Sequence, residues 1–127
     1  MPFEKPADQF FRVQRDEKPW GHELLWAWGP GYVGKLLHVR AGEALSLQFH
    51  EVKDETLSVL TGRIRLEFGE GPDALETREL GAGDCVRVVP GTVHRLTALV
   101  DSDVLEASTT ELSDVVRLQD RYGRKGS

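Results

Sequence analysis

Four side chains in this sequence have the types and spacing to hold a metal ion. Gln48 and His50 stand two apart in Leu45-Ser46-Leu47-Gln48-Phe49-His50, Glu55 follows five residues after His50, and His94 lies in a later apolar run. Residues two apart on a strand point to the same face. Five residues are enough to turn a corner and return on the next strand, so two imidazoles, a carboxylate and an amide oxygen can converge on one point. Mixed nitrogen and oxygen donors with a single carboxylate suit zinc, manganese, cobalt, nickel or iron as the divalent ion. Singly, each histidine reads as well as an ordinary hydrogen-bonded side chain; the set, with turn residues around it, points to metal. Gln48 is the weakest donor and can instead orient a water.

The elements that must position these residues read as short strands. Aromatic and apolar residues at 23–28 suit a strand, followed by the turn Gly29-Pro30-Gly31 and a strand over 32–40. Over 44–50, Leu45, Leu47 and Phe49 alternate with Ser46, Gln48 and His50; polar residues on one strand face can line the cavity of a small barrel. Runs at 56–60 and 63–68 flank Thr61-Gly62 as an expected hairpin. Further strands are expected over 75–80, 85–89, 93–100 and 104–109. Cys85 sits in an apolar run and reads as an inert core thiol. Leu112, Val115 and Val116 fall on one helical face, so 111–118 is expected to form a short helix or turn. Short strands with glycine-rich turns and almost no helical pattern predict an all-β sandwich or barrel.

The spacing Gly42-(x5)-Gln48-x-His50-(x4)-Glu55-(x6)-Gly62, followed by Gly83-Asp84 and Pro90-Gly91-x-x-His94, resembles the two motifs of the cupins. Gln48 in Leu-Ser-Leu-Gln-x-His, Lys18-Pro19-Trp20-Gly21 near the start, and Val116-Arg117-Leu118 with Asp120-Arg121-Tyr122-Gly123-Arg124 near the end resemble the C-terminal isomerase domain of the type II mannose-6-phosphate isomerase/mannose-1-phosphate guanylyltransferases. The resemblance implies a double-stranded β-helix, the jelly-roll barrel of the cupins. It implies one divalent metal ion, zinc by preference, held by Gln48, His50, Glu55 and His94. It also implies catalytic roles for Glu106, in the last long strand, and Lys35, in the strand before the first motif, and substrate contacts by Lys53 and Arg95. Glu106 stands among apolar residues, where desolvation raises a carboxylate toward the range of a general base. Around the ligands the sequence departs from the isomerase pattern: Glu51-Val52 replace basic residues, Thr56-Leu57 replace His-Trp, and Ala98 replaces Asn. The resemblance therefore carries the fold and the metal rather than one particular sugar.

With 127 residues one domain is expected: a loosely structured arm over 1–17 and a single barrel domain over 18–127. A net charge of −5 with no basic stripe excludes nucleic acid as the expected partner; Arg121, Arg124 and Lys125 read as a solvated tail. No apolar run approaches about 20 residues, so no membrane span is expected. A single cysteine leaves no internal disulfide, and a cytoplasmic protein is the expectation. The aromatic N-terminal region with Trp20, Trp26 and Trp28 predicts a homodimer, since exposed sheet edges are usually covered. The leading functional expectation is an aldose–ketose isomerase acting on a sugar or sugar phosphate. A metal-dependent oxygenase and a non-catalytic sugar-binding protein are the alternatives. No Gly-x-Ser-x-Gly elbow, phosphate loop or nucleotidyltransferase signature is present.

Overall fold

A computed structural model describes residues 2–124. The elements are β1 (Gln14–Lys18), β2 (Gly21–Gly29), β3 (Tyr32–Val39), β4 (Leu47–Phe49), β5 (Glu55–Thr61), β6 (Arg63–Gly69), β7 (Leu75–Gly81), β8 (Cys85–Val88), β9 (Val93–Ala98), β10 (Ser102–Ser108) and β11 (Val116–Gln119). They form two antiparallel sheets, one ordered β1-β2-β3-β10-β5-β8 and the other β11-β4-β9-β6-β7. This is the expected all-β jelly roll. No helix among the described residues is long and apolar enough to cross a membrane.

The alternation on each strand decides what the sheets enclose. Leu37, Val39, Leu57, Val59, Val88 and Val104 face inward from the larger sheet and meet Ile64, Leu66, Leu96 and Ala98 from the smaller one, with Trp20 between them. Burying each such side chain is worth about 1.5–3 kcal/mol, so this half of the sandwich is the stable base. A second cluster of Phe3, Leu25 and Val33, with Trp28 and Leu112 packed on it, lies apart from the first. Polar inward-facing residues occupy the remaining inner space.

Several expectations are corrected. Thr61-Gly62 is not a hairpin: β5 pairs with β10 and β8, while β6 pairs with β9 and β7. The chain passes there from one sheet to the other, with Gly62 at φ +94° and a Cβ on it falling 2.3 Å from Ser102 Oγ. The strand over 44–50 shortens to Leu47–Phe49, with a single bridge between Ala44 and Thr97. Of the short helix or turn expected over 111–118, the turn is what forms. Leu112-Ser113 make a turn and Val116–Gln119 pair with β4, so sheet pairing overrides the helical period. Cys85 is exposed, because Val86 and Val88 take the inward positions of β8. The N-terminal arm is ordered at both ends: Gln14–Lys18 pair with β2, Phe3 is buried, and Gln14 Oε1 accepts the N–H of Glu4 at 2.9 Å. Lys125 of the expected basic tail lies outside the described residues.

Candidate metal centre

The two sheets deliver the site from opposite sides. In the larger sheet, Lys35 on β3, Glu106 on β10 and Leu57 on β5 share one inward row, and Ser108 and Glu55 share the next. In the smaller sheet, Gln48 on β4 lies in register with His94 on β9, and His50 follows directly after β4. The His50 carbonyl accepts the N–H of Gly91 at 2.7 Å, with Gly91 at φ +87°. The Pro90-Gly91 turn thereby ties the approach to β9 onto the end of β4, which brings the two histidines together. Their ring centroids stand 5.2 Å apart.

His50, Glu55 and His94 each offer a donor atom, and these atoms lie within 4.8 Å of one another; all three residues are buried. Nε2 of His50 is 3.2 Å from Glu55 Oε1, and Nε2 of His94 is 3.4 Å from the same oxygen. Each Nδ1 faces a main-chain carbonyl, that of Asp114 for His50 at 2.5 Å and that of Thr92 for His94 at 2.9 Å. A carbonyl only accepts, so both Nδ1 atoms carry the proton, and a neutral ring then presents a bare lone pair at Nε2. Two lone pairs facing a carboxylate oxygen at such distances repel unless a cation joins them. Protonating both rings would instead place two charges in a buried site, which is costly. One divalent ion satisfies all three donors, and the Nδ1–carbonyl contacts are the outer hydrogen bonds that metal-bound histidines usually make. The donor set therefore fits the implied metal. Gln48 lines the same cavity.

The remaining polar residues surround this cluster in a cavity of about 530 Å³. Lys53 lies buried between two carboxylates, with Nζ 3.4 Å from Glu55 Oε2 and 3.2 Å from Glu106 Oε2. Burial opposes its charge, but Glu106 and Glu55 outweigh burial and raise the ammonium pKa. Burial alone would raise the Glu55 carboxyl; donation from the two imidazoles whenever their Nε2 atoms carry a proton, together with the Lys53 ammonium, outweighs it and holds the group well below the usual range. Glu106 goes the other way. Burial raises its pKa, with Lys53 opposing and Glu55 reinforcing. Its contact with Lys53 is an ion pair without hydrogen-bond alignment, which leaves acceptor capacity on Oε2. Glu106 is therefore not the isolated carboxylate expected from its neighbours in sequence. Lys35 is buried, 3.1 Å from Glu23 Oε1, with its ammonium 5.4 Å from the centre of the Phe3 ring.

Arg95 is corrected. His94 and Leu96 line the cavity, so Arg95 between them points outward, where Nε and Nη2 grip Glu67 at 2.9 and 3.0 Å. A substrate contact by Arg95 is not compatible with that direction. His22 and His38 also lie outside the cavity, stacked 5.0 Å apart, with His38 Nδ1 2.7 Å from Asp103 Oδ1. Sequence reading missed Glu23 and Asp114, named Arg117 only as part of a motif, and read Arg124 as a solvated tail, whereas it lines the cavity and pairs with Asp120. Glu23 was legible in principle, because in-register pairing places it with inward-facing Leu37. Asp114 stands in irregular chain that no periodicity marks.

Residues 35–107 match the family model described as the cupin domain. The mannose-1-phosphate guanylyltransferase ManC of Salmonella typhimurium is 32% identical over 112 residues, covering 84% of this chain and 22% of that protein. The chain spans about a quarter or less of the length of the curated relatives it matches. Among solved structures, KdgF from Halomonas sp. superposes with a TM-score of 0.66 at 26% identity, over 78% of this chain and 86% of that one. Oxalate decarboxylase from Bacillus subtilis superposes with a TM-score of 0.72 at 13% identity, over 84% and 30% of the two chains, a likeness of fold. Since the family model spans more than half of the chain, and the two-sheet barrel agrees with it, this chain belongs to the cupin family.

Proposed function

We propose that this chain holds one divalent metal ion, zinc first among the candidates, at His50, Glu55 and His94 with Gln48 beside them, and interconverts the aldose and ketose forms of a sugar or sugar phosphate. The observation that carries the reading is the pair of imidazoles, each with Nδ1 tied to a carbonyl and Nε2 turned on one carboxylate oxygen. Two histidines and a glutamate, with space left for a further ligand, is the donor pattern of catalytic rather than purely structural zinc. When bound, the ion supplies a Lewis acid that polarises the oxygens of a bound sugar.

The chain's own residues supply the rest. Glu106 faces the same cavity, and its raised pKa makes it a better proton acceptor than an exposed carboxylate. As the base it would take the proton from C2 of an aldose and return it to C1, by way of an ene-diol. Lys53 holds Glu106 in place and keeps its charge balanced.

The sugar phosphate class draws on two supports. The similar ManC protein is named for a mannose phosphate. In this chain, Lys35, Arg117 and Arg124 line the cavity of a protein whose net charge is −5.

A second reading, sugar binding without turnover, is favoured by the Lys53–Glu106 ion pair, which keeps the expected base engaged. Solvent deuterium separates the two. Zinc-loaded protein incubated in D2O with a panel of aldose and ketose phosphates should place deuterium at C2 of an accepted aldose, or C1 of its ketose. Binding of a sugar with no exchange in any of them would remove the isomerase and leave the binding protein.

A further inference from the structure

Asp114 is not a ligand, yet it touches the metal centre in two ways. It lies in the strap joining β10 to β11. Its carboxylate accepts three consecutive main-chain N–H groups from the corner between the ligands His50 and Glu55: Oδ1 from Glu51 at 3.1 Å, and Oδ2 from Val52 at 2.7 Å and Lys53 at 2.8 Å. Its main-chain carbonyl accepts the Nδ1–H of His50 at 2.5 Å. Successive N–H groups of this kind form a concave anion site, and bonds to an ionised acceptor are the stronger class. A carboxylate that merely closed a loop would account for the first set of contacts. It would not account for the same residue carrying the carbonyl that sets the His50 tautomer.

We propose that Asp114 is a positioning residue for the metal centre: its carboxylate clamps the 51–53 corner, and the clamp holds the carbonyl that keeps His50 Nδ1 protonated and Nε2 turned toward Glu55. The proposal rests on the metal reading above. The strap has a separate anchor for comparison. Thr109 and Asp54 exchange two contacts, Thr109 N to Asp54 O at 3.0 Å and Asp54 N to Thr109 Oγ1 at 3.1 Å, neither of which involves His50.

The two anchors make the test. Zn²⁺ is titrated into metal-free wild type, Asp114→Ala, Asp114→Asn and Thr109→Val, while the zinc-loaded forms are examined by nitrogen-15 NMR for the His50 Nδ1–H. Loss of an outer hydrogen-bonding partner typically costs 10–100-fold in metal affinity. Asp114→Ala should weaken zinc binding by about that factor and lose the protected Nδ1–H signal. Asp114→Asn keeps one acceptor oxygen and should fall between Asp114→Ala and wild type, which keeps the test usable if the alanine variant folds poorly. Thr109→Val should cost thermal stability with zinc affinity near wild type. Wild-type affinity and an unchanged Nδ1–H in both Asp114 variants would overturn the proposal alone, as would equal losses in Thr109→Val and Asp114→Asn. Failure of the wild type itself to bind zinc would instead remove the metal reading, and this inference with it.

Discussion

At the scale of single residues, the site places two glutamates a few ångströms from one lysine and drives their pKa values apart. Glu55 is held below the usual carboxyl range and burial raises Glu106, the directions that the proposed ligand and the proposed base need. Glu106→Gln keeps shape and most hydrogen bonding but removes the proton acceptor. Bound zinc should be unchanged and the isomerisation rate should fall about 10²–10⁴-fold, the usual size of a general-base contribution; an unchanged rate would place the base elsewhere. Arg95 belongs to stability instead. Its hydrogen bonds hold the Glu67 carboxyl below the usual range, against burial. A depressed carboxyl stabilises above the unfolded glutamate pKa of about 4.3 and ceases to do so as pH falls through the lower folded value. Arg95→Gln should therefore cost about 1 kcal/mol at neutral pH, the upper end for a solvent-screened pair, since this one is partly buried. In urea melts that deficit should vanish in strong acid, with substrate binding untouched throughout.

At the scale of elements, the spacing of the candidate ligands was legible because strand alternation and turn residues are local. Gln48-x-His50, Glu55 and Pro90-Gly91-x-x-His94 could be placed on strands from the sequence, and the barrel brings them together. Direction across a strand was less legible. Arg95 and Cys85 were assigned from motif and composition, and their inward-facing neighbours decided otherwise. The 61–62 crossing and the strap beyond β10 were not legible, because both depend on partners remote in sequence: Ser102 against Gly62, and residues 51–53 against Asp114. The crossing gives a direct prediction. Gly62→Ala forces a side chain into the left-handed region and against Ser102, so it should destabilise the fold by about 1–3 kcal/mol from backbone strain, with more from the clash. Chemical denaturation checks this, and a variant as stable as wild type would contradict the crossing geometry.

At the scale of the whole molecule, a stable apolar base carries a polar cavity whose walls come from both sheets and from two irregular segments, the N-terminal arm and the strap. Trp20 is buried and Trp28 packs on the second cluster, which leaves Trp26 exposed together with Phe10, Phe11 and Val13. We propose that this apolar surface is covered in a homodimer; light scattering at micromolar concentration should then give twice the chain mass of 14.2 kDa, and the monomer mass would refute it. The central claim, however, is that the cavity is a metal centre built on two histidines. Its most direct test is native mass spectrometry of wild type, His50→Ala, His94→Ala and Glu106→Gln, each metal-free and then supplied with one equivalent of Zn²⁺. The account predicts one tightly held ion per chain in wild type and Glu106→Gln, and loss of that ion in both histidine variants. A wild type that takes up no zinc, or histidine variants that hold it as well as wild type, would contradict it.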